Sequence, residues 1–224
     1  TVAKGGLSMN EWVSSILSIV IVLVFLVGLE QVGKRLGWTD ETIRKSVHIA
    51  VGHWSLLAVW LMETWYVAAI PLVFFTFANA FLLYKSPSPV HQTERKSFGT
   101  VYYPIALLVI LYFFFESEPL AFLAGSLVLA WGDGLAALIG RKYGTVTYDL
   151  YGQKRSFQGS MAMFLSSYAV LFLLFLWDDV PLWQVVTYGF IISVVATLIE
   201  AISYRDWDNF TIPIVVAVAT SLLL

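Results

Sequence analysis

Cysteine is absent from the 224-residue chain, and charged residues are scarce. The lack of cysteine excludes a disulfide scaffold, cysteine-ligated zinc or iron–sulfur sites, and thiol catalysis. Charged residues make up 12% of the chain, roughly half of their usual share in soluble domains. The net charge of −2 provides no basic field, so nucleic acid is not expected as a partner. Together these absences exclude a soluble globular domain.

Apolar residues fill the chain instead. They account for 59% of it, and the mean hydropathy is +0.79. Because a helix needs ~20 apolar residues to cross a bilayer, we predict an all-α, polytopic membrane bundle of about eight transmembrane helices. The predicted segments are residues 11–31, 43–62, 65–84, 100–115, 119–139, 160–177, 183–204 and 210–224. Residues 1–8 precede Met9 and are expected to be a remnant of cloning, which leaves residues 9–224 as one transmembrane domain.

The connections between the segments alternate in charge. Lysine and arginine lie in residues 32–42, 85–99 and 140–159, whereas acidic residues mark the short turns at 116–118 and 178–179. The positive-inside rule therefore predicts that the basic connections face the cytoplasm and that both termini lie on the other side. Since long polar loops usually carry function, we expect the active face to be cytoplasmic.

Several polar residues interrupt the apolar segments, and all of them fall near the predicted cytoplasmic ends: Glu30, His48, His53, Asn79, Asp133, Glu200, Asp208 and Asn209. Charged residues within a membrane segment cost ~3 kcal/mol each by insertion scales. For Glu30, His53 and Asn79, simple access to water at a helix end is as good an explanation as a functional role. Asp133, surrounded by apolar residues, needs a cavity. The common depth predicts one polar cavity open to the cytoplasm.

The start of the second segment, Thr39–Gly52, combines a helix cap with cationic side chains. Thr39 is a suitable N-cap. Arg44 and Lys45 lie four and three residues before His48, respectively, so the three side chains share one side of a helix. This arrangement predicts a site for an anion such as a phosphate chain. The alternative is that the two cations anchor the helix at the membrane surface, with Glu41 paired to Lys45.

A second candidate phosphate site precedes the sixth segment. Its residues are Lys154, Arg155, Ser156, Gly159 and Ser160, which we expect just before a helix N-terminus. Free backbone N–H groups and the helix dipole favour phosphate at such a position. Anchoring at the membrane surface is the alternative. In the preceding basic connection, Glu94 and Arg95 are either part of the site or ordinary loop charges.

Glycines mark the inner end of the fifth segment. Gly132, Ala136, Gly140 and Gly144 form one stripe at four-residue spacing, which lets helix backbones approach closely. Two matches to nucleotide fingerprints are rejected, at residues 28–35 and 132–137, because neither follows a strand. The carboxylates of Asp133, Glu200 and Asp208 are the oxygen ligands that Mg²⁺ prefers alongside substrate phosphates.

Five short motifs occur in a fixed order along the chain. They are RKSVH (44–48), ER-x-x-x-G (94–99), GDGLAALIGRKYG (132–144), K-x-S-x-x-GS (154–160) and E…DN-x-x-x-P (200–213). Together they resemble the polyprenol kinase family of membrane proteins, which includes dolichol kinase, phytol kinase and CTP-dependent diacylglycerol kinase. The resemblance covers about residues 40–215. Residues 204–206 depart from it, because relatives often have a glycine-containing turn there.

The resemblance implies transfer of a phosphoryl group to the hydroxyl of a membrane-embedded lipid alcohol, with CTP expected as the donor and ATP as the alternative. We expect the nucleotide to be bound by Arg44, Lys45, Glu94, Arg95, Gly132, Gly134, Gly140, Arg141, Lys154, Ser156, Gly159 and Ser160. Mg²⁺ is expected at Asp133, Glu200, Asp208 and Asn209. The catalytic set is then Asp133, His48 and Glu200, with either His48 or Asp133 accepting the hydroxyl proton.

Two other functions remain open from the sequence. A CTP-dependent cytidylyltransferase would make a CDP-lipid with the same residue types. A transporter for an anion or a lipid is less favoured, since the two halves of the chain show no repeat and the polar residues do not lie at mid-membrane. The expected location is the plasma membrane of a prokaryote, or the endoplasmic reticulum or plastid membrane of a eukaryote. The sequence does not indicate an oligomeric state.

Overall fold

The computed structural model describes residues 10–85 and 98–224, and most of them are helical. The first part contains α1 (Glu11–Arg35), α2 (Asp40–Gly52), α3 (Trp54–Leu61) and α4 (Trp65–Lys85). The second part contains α5 (Gly99–Phe114), α6 (Pro119–Val128), a π-helical segment (Leu129–Asp133), α7 (Gly134–Tyr143), α8 (Phe157–Trp177), α9 (Leu182–Ile202) and α10 (Asp208–Leu223). Between α7 and α8 lies a hairpin of β1 (Thr147–Leu150) and β2 (Gln153–Ser156).

Five helices of the described chain are long and apolar enough to cross a membrane: α1, α4, the continuous rod Pro119–Tyr143, α8 and α9. The prediction of a helical membrane protein is therefore confirmed. Helices α5 and α10 have 16 residues each. The prediction of one continuous helix over residues 43–62 is wrong, because the helix is interrupted at His53, between α2 and α3. The number of spans and the orientation of the termini stay predictions.

Helix α6 forms the centre of the bundle. All residues from Leu120 to Val128 are buried, and the helix packs against α5, α8 and α10. By contrast, about a fifth of the apolar window of α1 is buried, so that helix lies at the periphery. Gly125 allows the closest approach, because a Cβ atom there would clash with the backbone carbonyl oxygen of Pro213 in α10. Small residues let membrane helices pack at such short range.

The helix that leaves the centre changes geometry where the site begins. Residues Leu129–Asp133 adopt a π-helical turn, and Asp133 is its last residue. Single π turns inside α-helices are frequent at functional sites, because the inserted residue shifts the following side chains around the axis. Helix α2 packs against this turn and against α7. A polar residue deep in the bundle thereby meets the cationic start of α2.

The hairpin corrects the prediction of an irregular loop at 140–159. Tyr151 and Gly152 form its two-residue turn with φ values of 53° and 73°, the backbone that tight hairpins require. Side chains alternate along β2, so Lys154 is exposed and Arg155 is largely buried. Helix α8 begins at Phe157, earlier than predicted, because Ser156 caps it by accepting a hydrogen bond from the Gly159 N–H at 3.1 Å.

The packing of α6 on α10 yields a stability prediction. Replacing Gly125 with valine forces the two backbones apart and is expected to cost about 1–3 kcal/mol, or roughly 2–10 °C in melting temperature. Tryptophan fluorescence of the protein heated in detergent measures this shift. Gly28→Val is the control, because a Cβ atom at Gly28 meets nothing within 4 Å. Equal melting temperatures for the two variants would contradict the close approach.

Candidate active site

A polar cavity of about 420 Å³ lies where α2, α7, the hairpin and α8 meet the adjoining ends of α9 and α10. We call it the polar cavity. It gathers most of the residues that the sequence assigned to a site: Arg44, Lys45, Asp133, Gly140, Arg141, Lys154, Ser156, Gly159, Ser160, Glu200, Asp208 and Asn209. These residues come from distant segments and line one cavity, whereas Glu30, His48, His53 and Asn79 do not line it. The roles of the lining residues in binding and catalysis stay predictions.

A buried ion pair lies at the inner end of the polar cavity. The Nζ atom of Lys45 is 2.5 Å from Oδ2 of Asp133, and both side chains are 6% exposed. Nε2 of His48 lies 3.5 Å from the same oxygen and 3.4 Å from the Leu129 carbonyl oxygen. Pairing offsets the cost of burying both charges. Lys45 pairs with Asp133 and not with Glu41, and its side chain is buried. The alternative of a surface anchor paired to Glu41 is therefore wrong for Lys45.

A second charged group closes the other side of the cavity. The guanidinium of Arg155 donates to Glu200, to Oδ2 of Asp208 at 3.1 Å and to the Ser203 carbonyl oxygen at 3.2 Å. Asp208 is held further by Asn209, whose Nδ2 donates to Oδ1 at 3.0 Å. Oε2 of Glu200 is buried with no hydrogen-bond partner among the described residues. This oxygen is available to a ligand that the protein itself does not supply.

The mouth of the cavity carries a third cationic group. Arg44 donates twice to the Glu41 carboxylate, each time at 2.7 Å, and Arg141 lies 3.4 Å from the same carboxylate. Burial raises the pKa of Glu41, but its hydrogen bonds with Arg44 and the two guanidinium charges outweigh burial, so the pKa is lowered overall. Glu41 therefore stays ionised and fixes both guanidinium groups at the entrance.

An apolar cavity of about 360 Å³ adjoins the polar one, between α1, α2, α4 and α5. We call it the apolar cavity. Arg44 and Asn209 line both cavities, and His48 lines the apolar one while its Nε2 faces Asp133. The His48 ring packs on the ring of Tyr103, with 4.4 Å between centroids. The two cavities therefore share Arg44 and Asn209, and His48 lies between the apolar cavity and Asp133.

Several curated proteins are similar to this chain in sequence. A phytol kinase of Synechocystis sp. is 34% identical over 179 residues, which cover 78% of this chain and 76% of the relative. This chain belongs to the polyprenol and phytol kinase family. A probable chloroplastic phytol kinase of Triticum aestivum is 27% identical over 201 residues, covering 80% of this chain and 66% of that protein. A chloroplastic farnesol kinase of Arabidopsis thaliana is 27% identical over 215 residues, covering 86% and 69%. No family model and no solved structure matches the chain.

Within this member of the family, some predicted site residues lie elsewhere. Gly132 and Gly134 do not line the polar cavity; their lack of a side chain makes room for Met163 and Ile49. Their role in nucleotide binding stays a prediction. Glu94 and Arg95 fall outside the described residues.

The remaining polar residues of the membrane segments have partners of their own. Glu30 forms an exposed pair with Lys34, His53 accepts from the Trp131 indole N–H at 3.2 Å, and Asn79 donates to the Thr100 carbonyl oxygen at 2.9 Å.

Sequence reasoning placed Arg155 beside Lys154 near the start of α8 but assigned only Lys154 to the nucleotide. The two are adjacent in a stretch that was predicted to be a loop, where neighbouring cations are equivalent. In a strand they point to opposite faces, and it is Arg155 that reaches the carboxylates. The turn residues Tyr151 and Gly152 were the available signal for this strand.

The carboxylates fit a hard divalent cation only in part. Among residues 10–85 and 98–224, no group of three or more histidines or acids is close enough to form a complete cage. Mg²⁺ does not need one, since it commonly binds to one or two carboxylates together with substrate phosphates. The unpartnered Oε2 of Glu200 and the carboxylates of Asp133 and Asp208 line the same cavity. These donors suit Mg²⁺ delivered with a nucleotide.

The buried pair yields a prediction that does not depend on activity. Lys45→Met leaves the Asp133 carboxylate unpaired and is expected to destabilise the protein by about 3–5 kcal/mol. Adding Asp133→Asn restores part of this loss, so the double variant melts higher than the sum of the single changes predicts. Melting temperatures of the four proteins in detergent measure the coupling.

The matched control is the exposed pair of Glu30 and Lys34, which has the same 2.5 Å separation with side chains 53% and 64% exposed. The cycle Glu30→Gln and Lys34→Met is expected to show no measurable coupling, because water screens the pair. Equal coupling in the two cycles would contradict the buried position of Lys45 and Asp133.

Proposed function

We propose that the protein is an isoprenoid-alcohol kinase that transfers the terminal phosphoryl group of CTP to the hydroxyl of its lipid substrate at the cytoplasmic face of a membrane. The observation that carries the proposal is that a cation-lined polar cavity containing buried carboxylates adjoins an apolar cavity, with His48 between the apolar cavity and Asp133. A phosphorylated nucleotide and a lipid alcohol are the two substrates that such a pair of cavities suits. The names of the relatives, phytol kinase and farnesol kinase, support the alcohol class.

The cationic residues of the polar cavity suit the phosphates of a nucleotide. Arg44, Arg141 and Lys154 line this cavity, and so do Gly159 and Ser160 in the first turn of α8. Phosphoryl transfer depends mainly on positioning and on neutralising the charge of the phosphates. These groups hold the triphosphate with its terminal phosphorus toward His48.

Asp133, with Glu200 or Asp208, holds Mg²⁺ in this proposal, since their carboxylates line the polar cavity together. Bound there, the ion neutralises charge on the phosphate oxygens. Arg155 has a separate role. It donates hydrogen bonds to Glu200 of α9 and to Asp208 of α10, so these carboxylates stay in place as the nucleotide enters.

His48 accepts the proton of the alcohol. The alcohol oxygen attacks the terminal phosphorus, the bond from that phosphorus to the bridging oxygen breaks, and CDP leaves. The proton passes to the imidazole, whose new charge is stabilised by Asp133, 3.5 Å away. The sequence left His48 and Asp133 open as acceptors of the hydroxyl proton. In this assignment His48 accepts it, and Asp133 stabilises the charged imidazole.

Product analysis tests the reaction directly. Purified protein in detergent is incubated with Mg²⁺, labelled CTP or ATP, and farnesol, geranylgeraniol or phytol. The expected products are the lipid monophosphate and CDP. Formation of a CDP-lipid with release of pyrophosphate, from a phosphorylated lipid only, would identify a cytidylyltransferase and contradict the proposal. Turnover with ATP but not with CTP would contradict only the assignment of CTP as the phosphoryl donor.

Lys154 provides a test of the nucleotide position. It is exposed and lines the polar cavity, so Lys154→Ala is expected to raise the KM for the nucleotide several-fold without changing the melting temperature. Lys142→Ala is the matched control, because Lys142 is also exposed in the same region but lies over the Tyr143 ring outside the cavity lining. Steady-state kinetics at saturating alcohol separate the two variants, and equal nucleotide KM values would place the triphosphate elsewhere.

A further inference from the structure

We propose that the apolar cavity holds the isoprenoid chain of the alcohol as its one apolar tail, and that its closed end limits the chain length. This inference rests on the proposed kinase function and adds where the lipid lies and what selects it. The occupant is a molecule with one apolar chain and one terminal hydroxyl. A lipid with two acyl chains is the competing occupant, and the test below distinguishes the two.

The walls of the apolar cavity change in polarity along its length. At the end next to the polar cavity lie Glu30, Lys34, Asp40 and Arg44, whereas the far end is lined by Val22, Leu72 and Leu107. Lys34 and Val22 are separated by twelve residues of α1, or about 18 Å at the rise of an α-helix. The cavity is therefore long relative to its volume of about 360 Å³. This volume lies at the low end of the range for small-molecule sites, ~300–1,000 Å³.

Two prolines on opposite walls help to keep the cavity open. Pro71 interrupts α4 and Pro104 interrupts α5, and both line the cavity. Because proline lacks an N–H group, Pro104 leaves the Thr100 carbonyl oxygen without its usual helical donor. Asn79 of α4 supplies the donor at 2.9 Å, as neighbouring helices do for proline in membranes. Asn79 thus ties α4 to α5 at the rim without filling the space between them.

The far end of the cavity is closed by a fixed aromatic side chain. Trp54 is 3% exposed, and its indole N–H donates to Oγ of Ser18 in α1 at 3.1 Å. This bond fixes the ring, and Leu107 is buried beside the same end of the space. Trp54 lies six residues after His48, or about 9 Å at the rise of an α-helix, so a chain that enters with its hydroxyl at His48 meets this floor within that distance. Longer chains must fold back or protrude, which costs binding free energy.

Tyr103 carries a polar group that the protein does not satisfy. Its ring packs against the His48 ring and lines the cavity, and its hydroxyl is buried without a hydrogen-bond partner in the part of the chain that the structure describes. Buried hydroxyls without partners are uncommon in proteins. The hydroxyl oxygen lies beside Gly52, one turn beyond His48 toward the closed end.

Opposite changes at the closed end test the inference by their effect on selectivity. Leu107→Phe shortens the cavity and is expected to lower the ratio of kcat/KM for geranylgeraniol to that for farnesol by about tenfold, the usual scale for a misfit in an apolar pocket. Trp54→Leu removes the floor and is expected to raise the same ratio. The matched control is Val170→Phe, which adds an aromatic ring to a separate apolar cavity lined by Leu127, Trp131 and Leu173. Its ratio is expected to equal that of the unmodified protein.

Each ratio is measured on one protein sample, so partial loss of folded protein lowers both rates equally and does not change it. If Leu107→Phe does not fold, Phe75→Trp on the half-buried α4 wall carries the same test. Unmodified protein that phosphorylates none of the isoprenoid alcohols would overturn the kinase function itself. Active protein whose ratio stays the same in all of these variants would overturn the cavity assignment alone. Better turnover of diacylglycerol than of either isoprenoid alcohol would overturn the single-chain occupant.

Discussion

The ion pair of Lys45 and Asp133 is the constraint on which the rest of the structure depends. Both charges lie inside the bundle and are almost completely buried, where each alone would be strongly unfavourable. The fold brings them together from distant parts of the chain: α2 supplies the lysine, and the π-helical turn after α6 supplies the aspartate. Because neither charge is stable without the other, the crossing of α2 over this turn is fixed, and the polar cavity forms beside it.

Near this pair the protein forms two cavities of different polarity. The apolar cavity faces α1, α4 and α5, and the polar cavity faces the hairpin and the adjoining ends of α8, α9 and α10. His48 lines the apolar cavity, with its ring packed on Tyr103 and its Nε2 near Asp133. A lipid alcohol and a nucleotide differ in the same way, one apolar with a single hydroxyl, the other highly charged. Membership of the polyprenol and phytol kinase family agrees with this division.

Local sequence was sufficient for the features that depend on neighbouring residues. The apolar runs located the long helices, and the isolation of Asp133 among apolar residues indicated a buried functional group. The Thr39 cap was also readable, and its Oγ1 accepts from the Thr42 N–H at 3.2 Å. Features that depend on distant partners were not readable. Nothing near Lys45 distinguishes a partner 88 residues away from one on the next turn, and nothing near Arg155 shows that Glu200 and Asp208 lie within its reach.

The most direct test of the central claim is the rate of phosphoryl transfer from labelled CTP to farnesol by Asp133→Asn, in protein that elutes as folded from a sizing column. The account predicts a loss of at least ~100-fold, comparable to the removal of a principal charge-stabilising group from an active site. Glu63→Gln, the same change of acid to amide in an exposed turn at the opposite end of the helices, is expected to leave the rate unchanged. A rate for Asp133→Asn close to that of the unmodified protein would contradict the account.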